Sequence, residues 1–208
     1  MSVKQLVMLG GGGHAKVVYD VVTEMNLCIK AVVEPATPCD PFFACLEQWH
    51  SDADVLQVHS DSIMLVNGIG SIRVSESRRR IFEFFKERSY RFFTLKHPSA
   101  IISKFAEVGE GTQIMAASVV QVGSYIGANS IINTKASVDH DCFVGDHVHI
   151  APGATLSGEV YIGSGSHIGT GATIIQGVRI GNNVTVAAGA VVTRDIADGL
   201  LVKGVPAK

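Results

Sequence analysis

Charge is scarce in this 208-residue chain: 17% of residues are Asp, Glu, Lys or Arg, against 47% that are hydrophobic. That balance excludes an intrinsically disordered chain and provides for a buried core. Neither sign dominates, since the net charge is only −2, so neither a nucleic-acid-binding basic face nor an acidic tail is expected. No apolar run approaches the ~20 residues of a membrane span. The N-terminus lacks the pattern of a secretory signal, so a cytoplasmic protein is expected. Cys28, Cys39, Cys45 and Cys142 form no C-x-x-C pair, which argues against structural zinc and for reduced thiols in a cytosol. Proline is rare, 6 residues against 22 glycines, and the aromatics nearly all lie before residue 106. The two halves are therefore built on different rules.

What replaces the aromatics in the second half is a period. From Ile102 every sixth residue is aliphatic, through Val108, Ile114, Val120 and onward to Val192, sixteen positions without a break. Four residues after each aliphatic comes a second inward candidate, mostly small, from Ala106, Thr112 and Ser118 to Ala190. Glycine often follows the aliphatic directly, as at Gly109, Gly127, Gly145, Gly163, Gly169 and Gly181, where turns that a Cβ would strain are expected. A six-residue period fits neither a 3.6-residue helix nor an alternating strand. It is the signature of a hexapeptide-repeat parallel β-helix. Three hexads make one triangular coil of eighteen residues, so the sixteen hexads predict about five coils stacked at roughly 4.8 Å.

The first half reads as a small α/β unit. Residues 5–9 form an apolar strand and run straight into Gly10-Gly11-Gly12-Gly13-His14. A helical pattern follows through Val17, Val18, Val21, Val22 and Met25, then a strand over Ile29 to Val33 that ends in Glu34. Ile63 to Val66 is a third strand, leading to Asn67-Gly68-Ile69-Gly70; residues 75–89 are an amphipathic helix, and Phe92 to Leu95 a last strand. That order implies a parallel sheet with helices packed on it. Residues 35–60 have no clear assignment. The predicted organisation is an α/β Rossmann-like domain over 1–96 and a β-helix over 97–208. A glycine-rich turn between a strand and a helix is where such sheets hold phosphate on backbone N–H groups. The glycines do not follow G-x-G-x-x-G, and the alternative is a tight turn with no ligand. Glu34 stands where such folds place a carboxylate against a ribose or base; the alternative is a surface charge.

Gly10 to Val17, Gly70, the hinge His97-Pro98-Ser99-Ala100, the hexads, Val138-Asp139-His140-Asp141 and the closing Lys203-Gly204-Val205-Pro206-Ala207-Lys208 together resemble the bacterial sugar acetyltransferases of the NeuD and PglD type. The resemblance implies a left-handed β-helix and a homotrimer whose active sites lie between neighbouring β-helices. Acetyl-CoA would be the donor, without a metal. The acceptor would be the amine of a UDP- or dTDP-linked 4-amino-4,6-dideoxy sugar, or in other branches a hydroxyl of sialic acid, within polysaccharide or glycan biosynthesis. By the same resemblance His140 matches the catalytic histidine and Asp141 its acidic partner. His149 matches the position at the thioester end of acetyl-CoA, and Gly158, Thr170 and Ala188 match its groove. The strand–glycine–helix context at Gly12, Gly13 and His14, with Glu34 and Gly70 at neighbouring strand ends, is where the sugar nucleotide is expected. The chain departs from the family's pattern at Cys39-Asp40-Pro41-Phe42-Phe43-Ala44-Cys45.

The chemistry points the same way. Acyl transfer from a thioester to an amine needs a base for the ammonium proton and donors for the developing oxyanion. Histidine has the pKa to take that proton and return it to the leaving thiolate. His140 lies two places after inward Val138, on the outer surface between Asp139 and Asp141, where a neighbouring carboxylate would orient the ring. The alternative is an exposed turn histidine. His149 and His167, eighteen residues apart, should face outward and stack on one face; paired imidazoles can hold a metal, but no third ligand has suitable spacing. His97 and His147 read as structural or solvated, and Lys203 and Lys208 as tail lysines within reach of CoA phosphates or merely solvated. A non-catalytic trimeric scaffold that binds nucleotide sugars is the reading outside catalysis.

Overall fold

A computed structural model describes residues 5–35, 39–71 and 76–208, in two compact units, Met1–Gly70 with Glu76–Thr94 and Ser71–Ser75 with Leu95–Lys208. The first unit is a four-stranded parallel sheet with helices. Its elements are β1 (Gln5–Leu9), α1 (Gly13–Glu24), β2 (Ile29–Val33), β3 (Glu47–Trp49), α2 (Asp52–Leu56), β4 (Ile63–Asn67) and α3 (Glu76–Lys86). The strand order is β3-β2-β1-β4. Central β1 buries Leu6 to Leu9 without alternation, as a strand covered on both faces must. Helix α1 turns Ala15, Val18, Val21 and Val22 inward, one stripe of a 3.6-residue period. It stops where Asn26 takes a left-handed φ of 56°.

Two expectations change here. The stretch without assignment contains β3, α2 and a 3-10 turn at Pro41–Phe43. Phe43 is buried in that turn and meets Tyr19 and Phe42 edge to face. The expected strand from Phe92 to Leu95 divides: Phe92 makes an isolated bridge to Leu65, whereas Leu95–Lys96 pairs with Gln113–Ile114 in the second unit. Both pieces are apolar, but their backbones bond to different sheets. The helix expected over 75–89 runs from Glu76 to Lys86; Ser75 lies outside the described residues.

The second unit is a parallel β-helix. Two-residue strands recur from Ile101–Ile102 to Val191–Val192, each ending on the aliphatic residue of its hexad. Each strand in the body of the repeat pairs with the one eighteen residues on, as Val144 with Ile162 and Ile150 with Ile168. The result is three parallel sheets of five, seven and six strands. The aliphatics from Ile114 to Val192 form one continuous buried core, while Ile102 and Val108 at its open end are partly exposed. The last coil is shorter, since Thr185 pairs with Leu201 and Ile180 bridges Ile196.

Hydroxyls survive in this core because the coil beneath each one supplies an acceptor. Thr112 Oγ1 donates to Gly127 O at 2.6 Å, Ser124 Oγ to Asp139 O at 2.6 Å, and Ser130 Oγ to Gly145 O at 3.0 Å. A buried hydroxyl so paired escapes the desolvation penalty. The glycines after the aliphatics serve close approach rather than turn conformation. A Cβ on Gly127 would lie 2.5 Å from the carbonyl carbon of Gly145, and one on Gly163 2.5 Å from that of Gly181. The left-handed turn position comes two residues later. There Gly165 and Gly171 have positive φ, but so do Asp141 and His147.

Candidate active site

In the first unit the predicted residues gather at the ends of β1, β2 and β4. Gly10 turns the chain with φ of 91°, and its N–H donates to Val33 O at 2.8 Å. The Gly11 N–H donates to Glu34 Oε2 at 2.7 Å. Glu34 thus closes the turn from the side, a role its place in sequence did not disclose. Gly12 is the N-cap of α1, with no side-chain cap. A Cβ on Gly12 or Gly13 would meet nothing within 4 Å. The positive end of a twelve-residue helix therefore opens beside two uncrowded glycines. His14 packs on Gly70, where a Cβ would approach His14 Cβ to 2.9 Å.

The turn that carries Gly70 is held by Arg78, which the amphipathic pattern of α3 did not mark. Arg78 is 3% exposed. Its Nη1 donates to Asn67 O at 3.1 Å and Ile69 O at 2.7 Å, and Asn67 Nδ2 donates back to Arg78 O at 3.2 Å. Burial pushes the guanidinium pKa down to about 9.

In the second unit His140 stands half exposed, with Nδ1 2.9 Å from Asp141 Oδ2. The hydrogen bond to Asp141 raises the imidazole pKa above its ordinary value, opposed by desolvation and helped by the charges of Asp139, Asp141 and Glu159. Asp141 occupies the left-handed turn position with φ of 57°, which Asp tolerates. Gly158 lies beneath the ring: a Cβ there would come 2.5 Å from both Cε1 and Nε2 of His140. The Gly158 carbonyl accepts from Gly177 N. Gly158 therefore sits directly against the His140 ring.

Thr170 and Ala188 line a groove of about 370 Å³ with His167, Gly169, Thr185 and Leu201. His149 and His167 are register partners, with ring centroids 4.9 Å apart and planes at 87°. His149 leaves the coil outward as expected, yet it is only 8% exposed. Its Nδ1 lies 2.9 Å from both Oγ and O of Ser71, and its Nε2 3.0 Å from Asn133 Nδ2. Ser71 and Asn133 were not anticipated; Ser71 is distant in sequence, and Asn133 carried no signal beyond following inward Ile132. His97 accepts from Ser99 N at 2.9 Å and His147 Nδ1 meets Asn129 Nδ2 at 3.0 Å, both local contacts. Among the described residues no group of three His, Cys, Asp or Glu side chains could hold a metal, and no helix is long and apolar enough to cross a membrane.

A β-helix of hexads carrying an exposed His–Asp pair and an outer groove defines a hexapeptide-repeat transferase. The bacterial transferase hexapeptide (six repeats) family model matches residues 159–194. The acetyltransferase domain of PglB from Neisseria gonorrhoeae FA1090, in complex with acetyl coenzyme A, is 35% identical over 99% of this chain and 98% of that one, with a TM-score of 0.91. PerB from Caulobacter crescentus, in complex with CoA and GDP-perosamine, is 34% identical over 100% of this chain and 97% of that one, with a TM-score of 0.88. UDP-N-acetylbacillosamine N-acetyltransferase of Bacillus subtilis (strain 168) is 36% identical over 121 residues, 54% of this chain and 52% of that protein, so the match spans about half of that curated relative. The chain belongs to the hexapeptide-repeat sugar acetyltransferases.

Proposed function

We propose that this protein is an acetyl-CoA-dependent N-acetyltransferase acting on a nucleotide-linked 4-amino-4,6-dideoxy sugar. The observation that carries the reading is the His140–Asp141 pair, with its ring laid across Gly158. His140 removes a proton from the sugar amine as the nitrogen attacks the thioester carbon. The tetrahedral intermediate collapses, the carbon–sulfur bond breaks, and His140 returns the proton to the departing CoA thiolate. Asp141 orients the ring through Nδ1, leaving Nε2 toward the substrate. The Gly158 N–H, which has no hydrogen-bond partner among the described residues, supplies a donor for the oxyanion.

The donor lies along the groove of Thr170 and Ala188, and a neighbouring copy in a homotrimer supplies the groove's second wall. Relatives over nearly the full chain bind acetyl coenzyme A or CoA, which supports this use of the groove. The first unit, read as Rossmann-like, binds the sugar nucleotide: its diphosphate sits at Gly12 and Gly13, with His14, Glu34 and Gly70 around it. UDP and dTDP sugars are the expected acceptors, and a GDP sugar joins them because PerB carries GDP-perosamine. Use of acetyl-CoA supports a cytoplasmic reaction, and similarity to the family supports a left-handed β-helix. The test is thiol release from acetyl-CoA with UDP-, dTDP- and GDP-linked amino sugars beside free sialic acid. Turnover with an amino sugar nucleotide is expected; turnover with sialic acid alone would replace N-acetylation by O-acetylation, and turnover with none would leave a binding scaffold.

A further inference from the structure

One histidine of the groove has no task in the mechanism above. His167 lines the groove with Thr170 and Ala188. Its Nδ1 is enclosed and has no hydrogen-bond partner among the described residues, whereas Nε2 is not among the atoms that are both enclosed and unpartnered. Burial lowers the pKa of this ring, so it is neutral at physiological pH and carries one proton for two nitrogens. A buried N–H without an acceptor is among the costlier arrangements in a folded chain. The proton therefore sits on Nε2, on the accessible side.

The ring is also held. His149 presses against it at right angles with centroids 4.9 Å apart, and His149 is itself fixed. A carbonyl oxygen can only accept, so the contact of Nδ1 with Ser71 O puts the His149 proton on Nδ1, and its Nε2 then accepts from Asn133 Nδ2. His149 has no hydrogen left to offer a ligand while these bonds stand. His167 does.

We propose that His167, buttressed by His149, is a donor-binding residue whose Nε2–H donates a hydrogen bond to a carbonyl oxygen on the acyl-pantetheine arm of acetyl-CoA. The inference rests on the reading of this groove as the acetyl-CoA site. The arm presents carbonyls at the thioester and at its amides, and one coil of the β-helix advances about 4.8 Å. The coil of His167, one beyond that of His149, therefore falls within the span of such an arm.

The experiment is calorimetric titration of acetyl-CoA and of S-ethyl-CoA, a thioether without the thioester carbonyl, into the wild type, His167→Phe, His167→Gln and Ala188→Leu. His167→Phe keeps a planar ring but removes the donor, and should weaken acetyl-CoA binding roughly three- to tenfold, the value of one neutral hydrogen bond. His167→Gln offers an amide N–H near the same place and should restore most of the loss, which a purely structural role would not predict. The KM for the sugar nucleotide should not move. A loss that persists with S-ethyl-CoA assigns the bond to a pantetheine amide, and one that vanishes assigns it to the thioester; either supports the proposal. Wild-type affinity in His167→Phe, while Ala188→Leu blocks binding, would overturn the proposal and leave the groove assignment intact. Unchanged binding in Ala188→Leu would remove the groove assignment, and the proposal with it.

Discussion

The imidazole of His140 lies against Gly158, so close that a Cβ there would sit 2.5 Å from its Cε1 and Nε2. Gly158 is not at a positive φ, so its backbone would accept alanine. The group that must yield is the end of a half-exposed side chain, which moves at little cost to stability. Gly158→Ala should therefore leave the melting temperature near wild type. It should lower kcat at least tenfold, toward the ~10²–10⁴ loss typical of a missing general base. Steady-state kinetics beside thermal unfolding separates the two effects; an unchanged kcat would show that the position of the ring is immaterial.

His140→Ala should cost about 10²–10⁴ in kcat, and Asp141→Asn less, because the base remains. The hydrogen bond to Asp141 holds the His140 pKa above its usual value. The basic form is thus lost as pH falls through a raised pKa, and activity should show an acid limb there. Removing the carboxylate lowers that pKa, so in Asp141→Asn the acid limb should move to lower pH. A limb that stays in place would mean that another group titrates.

Gly13 has open space where a side chain would project, so Gly13→Leu should fold. Its side chain would fill the mouth of the glycine turn beside the start of α1. The KM for the sugar nucleotide should rise about tenfold or more, while that for acetyl-CoA stays nearly unchanged. Movement of the acetyl-CoA dependence instead would reverse the assignment of the two substrates.

Arg78→Met keeps much of the side-chain volume but deprives Asn67 O and Ile69 O of their shared donor. Hydrogen bonds from a charged group of this kind contribute about 2 kcal/mol. Urea unfolding should register a loss of that order, and the loosened turn at Gly70 should raise the KM for the acceptor. Equal stability would mean that the bonds are replaced by water.

Tyr125 and Phe143 stack with rings 5.2 Å apart and nearly parallel, and Phe143 stacks in turn on Tyr161 at 4.9 Å. Arg179 lies over the Tyr161 ring. Tyr125 and Phe143 remain exposed on the outside of the β-helix. A homotrimer gives such a face somewhere to be buried and closes the point group. Sedimentation velocity should give one species of three chains at assay concentrations. A stable monomer with full activity would sink the shared-wall reading of the groove.

The β-helix was legible residue by residue because its physics is periodic. A position that must be aliphatic in one coil must be aliphatic in every coil, so Ile114, Ile132 and Ile150 announce the fold together. His140 and Asp141 were legible for a related reason: they are neighbours in the chain, and their contact needs no long-range folding. The first strand, its glycine turn and α1 were legible from local pattern as well.

Only the tertiary structure decided the rest, because these contacts join residues that the sequence keeps apart. Glu34 bonds to Gly11 across twenty-three positions and Ser71 to His149 across seventy-eight. Arg78 is buried although its type favours solvent, because two carbonyls at the end of β4 need a donor. The apolar stretch from Phe92 to Leu95 looks like one strand and serves two sheets, since hydrophobicity alone does not choose a hydrogen-bonding partner. Periodicity placed His149 and His167 on one outward face. Which ring is tied by its neighbours, and which keeps a hydrogen for the groove, was set by the groups that fold against each.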